Sequence, residues 1–317
     1  MLRPYDFEMG EESISTDQSP APAPSTFKIV AAFLTIYIVW GSTYLAIRFG
    51  VETIPPFMMA ATRFLLAGAV LFLWDRYRGG PMPTTAHWRS GVIIGGLLLV
   101  VGNGGVTWAE QTIPSGVTAL LIGTAPIFFV LLDWLFFGGK RPTGRITLGL
   151  AIGLGGTILL VGPDHILTGE GFSVAGLLVL LLAEICWAAG SLYSRRAILP
   201  ASPLMATAVE MLAGGAILLI ISTVSGEPFR LDVSTVSTVS LLSLGYLFLF
   251  GSLIGFTAYV WLLRVASPAR VSTYAYVNPV IAVILGWTLG GEELTVRMLI
   301  AAGIIIAGVV MIVMWKE

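Results

Sequence analysis

The sequence predicts an all-α membrane protein, with ten transmembrane helices arranged as two inverted five-helix repeats. Three observations predict it. Hydrophobic residues fill 56% of the 317 positions and charged residues only 11%, a balance foreign to soluble globular domains. Apolar runs of about twenty residues, the length a helix needs to cross a ~30 Å hydrocarbon layer, recur along the whole chain. The chain also repeats itself. Pro56-Phe57, Thr62-Arg63 and Leu66-Ala67-Gly68-Ala69-Val70-Leu71 return, spacing kept, as Pro203-Leu204, Val209-Glu210 and Ala213-Gly214-Gly215-Ala216-Ile217-Leu218. The same offset carries Trp40 onto Trp187 and Arg48 onto Arg195.

In chain order, residues 1–27 come first. They are acidic (Asp6, Glu8, Glu11, Glu12, Asp17) and rich in Ser, Pro and Ala, a composition that cannot bury enough apolar surface to fold. A disordered cytoplasmic tail is expected, and not a signal peptide, since no basic region leads directly into a short apolar run. Spans at 28–49, 57–75, 89–109, 114–137 and 145–162 make the first repeat, 28–162. Spans at 172–194, 203–224, 239–262, 270–290 and 297–315 make the second, 172–316, with 163–171 an outer linker. A β-barrel would show short alternating segments, which are absent.

Similarity continues into the second part of each repeat at a longer offset, which aligns Trp108 with Trp261 and Pro126 with Pro279. Both prolines fall near the middle of a predicted span, so the fourth and ninth helices are expected to kink. Matching helix breaks in two halves point to a central binding site; ordinary packing kinks are the alternative. The fifth and tenth spans carry aliphatics and small residues (Gly149, Gly153, Gly156; Gly303, Ala307, Gly308) suited to close helix contact. That contact is expected within one chain, which would act as a monomer; a dimer through these two helices is the second reading.

The charges orient the spans. Arg3, Lys28, Arg76, Arg78, Arg89, Lys140, Arg141, Arg145, Arg195, Arg196, Arg264, Arg270 and Lys316 occupy alternate segments, whereas the opposite segments hold Arg48, Arg230 and Arg297. The positive-inside rule then puts both termini in the cytoplasm. Five spans per repeat is an odd number, so the two halves run oppositely. A net charge of −1 without a basic patch argues against nucleic-acid binding. Cys186 is the single cysteine, so no disulfide framework exists. His87 and His165 fall on opposite sides of the bilayer and cannot share a metal, and no cofactor motif is present.

Candidate solute-binding residues collect on particular spans: Tyr37, Trp40 and Tyr44 on the first, Asn103 and Trp108 on the third, Trp187 and Ser191 on the sixth, Tyr259 on the eighth, Tyr276 and Asn278 on the ninth. The alternative is that aromatic residues near helix ends are interfacial anchors, which suits Trp108, Tyr193 and Trp261. Buried charge in a membrane marks function by default, and Arg63, Glu184 and Glu210 are the candidates. Arg63 and Glu210 are equivalent by repeat, yet about 10 Å of membrane separates their backbones at 1.5 Å per residue, so a direct bridge is not expected. For the two acids, a proton-carrying role and a static structural role both remain open.

Trp40-Gly41-Ser42-Thr43-Tyr44, Pro55-Pro56 leading to Arg63-Phe64, Val101-Gly102-Asn103-Gly104, Pro114-Ser115-Gly116, Ser267-Pro268-Ala269, Tyr274-Ala275-Tyr276-Val277-Asn278-Pro279 and Leu289-Gly290-Gly291-Glu292 together resemble the EamA family of the drug/metabolite transporter superfamily. The resemblance covers about residues 30 to 315. It implies a ten-helix bundle, a cavity between inverted halves bordered by helices 1, 3, 4, 6, 8 and 9, and export of small molecules such as amino acids. Glu184 and Asp133 depart from the family pattern. The expected function is a secondary transporter of the bacterial inner membrane, exporting small metabolites, amino acids foremost, by alternating access. Lipophilic drugs are the rival cargo. Nucleotide sugars would need several basic residues where only Arg63 is available, a channel would need a ring of charge or carbonyls, and an intramembrane enzyme would need a carboxylate or nucleophile constellation at one depth.

Overall fold

The computed structural model of the chain describes residues 25–113, 118, 121–161, 173–290 and 295–313. The expected tail as far as residue 24, the linker at 163–171 and most of the first part of the fourth span lie outside the described residues; Thr26 and Phe27, expected in the tail, already belong to the first helix because Ser25 caps it. Among the described residues all regular structure is helical: α1 (Thr26–Val51), α2 (Pro56–Tyr77), α3 (Thr85–Ala109), α4 (Ala125–Phe136), α5 (Gly144–Val161), α6 (Val174–Ser194), α7 (Pro203–Val224), α8 (Thr238–Val265), α9 (Tyr274–Gly290) and α10 (Val296–Val313), with short turns of helix at Glu227–Arg230, Val233–Thr235 and Pro268–Val271. Six of these, α1, α2, α3, α6, α7 and α8, are long and apolar enough to cross a membrane.

The helix starts follow local chemistry. Ser25, Thr84, Ser173, Ser202 and Ser237 accept the backbone N–H three residues on, satisfying a donor that has no partner inside the helix. Pro56 and Pro203 open α2 and α7, where a missing N–H costs nothing. Pro126 corrects an expectation on the same ground. It does not kink the interior of a helix, because the chain turns at Gly123-Thr124 and Pro126 lies in the first turn of α4. Pro279 is interior to α9 and leaves the Ala275 carbonyl without its usual donor. A further feature escapes any reading by periodicity: α3 and α8 each contain a π-helical stretch, Gly96–Gly104 and Leu247–Phe256, at positions the repeat makes equivalent.

Packing centres on α2 and α7, which lie side by side in opposite senses. A Cβ on Gly68 would meet Leu212 and Met211, and one on its repeat counterpart Gly215 would meet Leu65. At one end, Glu227 accepts the Phe57 and Met58 N–H groups at 3.2 and 2.8 Å, capping α2 from the other half of the chain. At the other end Ser202, the N-cap of α7, donates to Asp75 near the end of α2. α5 and α10 make a second seam in which Gly149, Gly156 and Gly308 leave no room for side chains; their small faces are used within the chain. The remaining contacts come in matched sets. α1 packs on α8 and α9 as α6 packs on α3 and α4, and α2 on α8 as α7 on α3.

Overpacking of a close helix crossing costs about 1–3 kcal/mol. Gly68→Leu and Gly215→Leu are therefore expected to lower the melting temperature of the detergent-solubilised protein. Gly303→Ala, placed where nothing lies within 4 Å of the new methyl, leaves it unchanged. Equal melting temperatures for all three would refute the α2–α7 crossing.

Candidate functional site

The repeat-equivalent Trp40 and Trp187 meet inside the bundle, edge to face, with ring centroids 5.6 Å apart. Each is seated on a glycine of the opposite half. A Cβ on Gly255, in the π stretch of α8, would strike Trp40, and one on Gly102, in the π stretch of α3, would strike Trp187. Gly102 and Gly255 are themselves equivalent, at the offset that relates Trp108 to Trp261. Exchanging the halves therefore exchanges one tryptophan seat for the other. Trp40 Nε1 donates to the Gly251 carbonyl at 3.3 Å. Tyr259 and Tyr274 pack on Trp40 with centroids 4.9 and 5.0 Å away, the tilted and edge-on geometry that ring quadrupoles favour.

Beside this pair lies a cavity of about 70 Å³, lined by Trp40, Thr43, Tyr44 and Ile47 of α1, Arg63 and Phe64 of α2, Leu99, Gly102, Asn103 and Val106 of α3, Ile122 just before α4, Glu184 and Trp187 of α6, Gly251 and Phe256 of α8, and Tyr274 of α9. Pockets for drug-sized ligands are typically 300–1,000 Å³, so a larger solute enters only if helices part. Arg63 donates to Asn103 Oδ1, and its guanidinium lies 4.5 Å from the Phe64 ring centre. Asn103 also holds Thr107 through its backbone carbonyl, at 2.8 Å. Among the described residues, Arg63 Nε and Glu184 Oε2 have no hydrogen-bond partner, nor does either carboxylate oxygen of Glu110.

Of the expected residues, the structure brings Trp40, Tyr44, Asn103, Trp187, Arg63 and Glu184 to this cavity. Others stand behind its wall. The Ser191 hydroxyl donates to the Trp187 carbonyl at 2.6 Å and accepts from Tyr259, also at 2.6 Å. Asn278, fully buried, donates to the Tyr37 and Tyr274 carbonyls at 3.2 and 3.0 Å once its amide is turned to suit them, and it meets the Tyr44 hydroxyl. Tyr37 bonds Thr273 at 2.6 Å, tying α1 to the turn before α9.

Three residues lie elsewhere. Tyr276 packs on Gly153 and donates to the Leu150 carbonyl at 3.1 Å, because at its position on α9 the side chain faces α5. Trp108 lines a separate pocket of about 330 Å³ with Pro55, Pro56 and Glu227, being one residue from the end of α3. Glu210 is buried on α7 without a hydrogen-bond partner, in the field of Arg264 and apart from Arg63. Sequence reasoning missed Phe64, Glu110, Gly251, Phe256 and the glycine seats. Only the seats had a signal, the equivalence of Gly102 and Gly255.

The sequence matches the EamA-like transporter family twice, over residues 27–162 and 174–314. It is 43% identical over 289 residues to the inner membrane transporter YedA of Escherichia coli, covering 91% of each chain. To a protein of Salmonella typhimurium named "Probable amino-acid metabolite efflux pump" it is 26% identical over 289 residues, covering 86% of this chain and 92% of that one. A crystal structure of 21% sequence identity shares the fold, with a TM-score of 0.71 over 92% of this chain and 98% of its own.

Gly102→Val and Gly255→Val should each unseat one tryptophan and weaken the near-ultraviolet circular dichroism of the coupled rings to a similar degree. Gly245→Ala, in open space on α8, should not. Unchanged spectra in both valine variants would eliminate the paired seats.

Proposed function

The chain belongs to the EamA-like transporter family of the drug/metabolite transporter superfamily, and we propose that it exports small metabolites, amino acids foremost, across the inner membrane by alternating access. The observation that carries this reading is the cavity built around two repeat-equivalent tryptophans, each seated on the other half. Two inverted five-helix repeats, with both termini cytoplasmic, account for the matched contact sets and for the segregation of Lys and Arg. The similarity to an efflux pump named for amino-acid metabolites favours amino acids as cargo.

Polar ties close the bundle at both ends. At the outer end, Glu227 caps α2, Ser240 donates to the Phe49 carbonyl at 2.6 Å, and the Ser237 N–H reaches Thr53 Oγ1 at 3.2 Å. At the inner end, Arg264 donates to the Pro200 and Ala201 carbonyls and Arg195 to that of Ala266. Releasing one set while keeping the other opens the cavity to one side at a time. The aromatic wall takes the apolar part of a solute, and Arg63, Asn103 and Glu184 supply polar contacts. A purely lipophilic drug would leave those groups unanswered, which disfavours that cargo.

Trp40→Ala and Asn278→Ala are expected to reduce amino-acid flux in proteoliposomes by about tenfold or more, a loss of roughly 1.4 kcal/mol, while the protein stays folded. Normal flux in both would rule out the cavity as the transport site. Topology has its own check. In a Cys186→Ser background, Met82→Cys and Phe229→Cys should be labelled by a membrane-impermeant thiol reagent from opposite sides; labelling from one side would contradict the inverted repeat.

A further inference from the structure

Two ionisable side chains of opposite kind, Arg63 and Glu184, line one cavity, and among the described residues no ion pair joins them. Arg63 is 2% exposed and Glu184 5% exposed, and each keeps a polar atom without a partner, Nε on one and Oε2 on the other. Charged groups at such depth are costly unless something answers them. The hydrogen bond Arg63 makes goes to a neutral amide, Asn103, which orients the guanidinium and leaves its charge intact. Glu110, just beyond the C-terminal end of α3, acts on Arg63 through space. Both of its carboxylate oxygens lack hydrogen bonds, so no forked ion pair occupies the guanidinium. On the other side, Glu184 stands in the electrostatic reach of Tyr44, Tyr259 and Tyr274. Tyr44 and Tyr259 are already engaged, with Asn278 and Ser191.

We propose that these are the two poles of a zwitterion site: Arg63 takes the carboxylate of an α-amino acid, Glu184 takes its ammonium, and the side chain lies against Trp40 and Trp187. The inference rests on the amino-acid export reading above and deepens it. A guanidinium presents a planar fork matched to a carboxylate, and a carboxylate is the natural acceptor for an ammonium. Arg63 belongs to the first half and Glu184 to the second, so one small molecule satisfies both halves at once. A solute with one charge leaves the other pole buried and unpaired, which is how such a site rejects it.

The test uses labelled L-phenylalanine counterflow in proteoliposomes, with unlabelled phenylalaninamide (no carboxylate) and 3-phenylpropionate (no ammonium) as competitors. In the wild type, L-phenylalanine should compete at least tenfold better than either analogue, the scale of a lost hydrogen bond to a charged group. Glu184→Gln should weaken L-phenylalanine about tenfold or more and erase its advantage over 3-phenylpropionate, while its advantage over the amide persists. Arg63→Gln should do the reverse. Should Arg63→Gln lose its monodisperse profile in size-exclusion chromatography, Glu184→Gln decides alone. If Glu184→Gln weakens all three compounds equally, or none, the zwitterion site is wrong although amino-acid transport stands. A wild type that carries no amino acid, while tryptophan quenching shows that the cavity binds another solute, overturns the export reading and this site with it.

Discussion

The antiparallel contact of α2 with α7 is the interaction on which the rest of the bundle depends. Within a bilayer, apolar side chains gain little by leaving lipid for one another, so helices associate through close fit and satisfied polar groups. Gly68 and Gly215 supply the fit. Glu227 and the Ser202–Asp75 pair supply the polar closure at the two ends. α3 leans on α7, where Gly95 approaches the Glu210 carbonyl and Gly214, and α8 leans on α2. α6 and α1 then rest on α3 and α8. The cavity is what this arrangement leaves at the middle, with Arg63 projected into it from α2.

Reciprocity explains why the site is made of pairs. Several contacts across the halves have a repeat-equivalent counterpart, so one favourable contact is used twice. The tryptophan seats are of this kind. A π stretch inserts an extra residue into the helical ladder and shifts the register of the turns beyond it. In α3 and α8 that shift presents a glycine to the incoming indole. Asymmetry enters where chemistry is needed: Asn103 of α3 corresponds to Phe256 of α8, and Arg63 of α2 to Glu210 of α7.

Much of the scaffold was readable in advance. Eight of the ten predicted spans follow a helix of the structure where their residues are described, because length and hydropathy are properties of consecutive residues; the fourth is broken at Gly123-Thr124 and the ninth at Ser272-Thr273. Trp40 and Trp187 are equivalent by repeat in the sequence, and the structure sets their rings side by side. What was not readable depends on rotation about helix axes. Tyr276 and Asn278 are two positions apart on α9, yet one faces α5 and the other α1. The Arg63–Asn103 bond joins neighbouring helices at a phase that no spacing along the chain reveals. Pro126 was misplaced for a third reason: hydropathy continues smoothly across Gly123-Thr124, so the break in backbone geometry has no compositional trace.

The seams also govern how the protein can be made. α2 meets its partner only after α7 has been synthesised, and α5 only after α10. Until then the first five helices sit in the bilayer with glycine-lined faces open to lipid and with Arg63 and Asp75 lacking their final surroundings. Assembly is consequently a late event in biogenesis, and a chain truncated before α10 presents membrane proteases with an unfinished bundle.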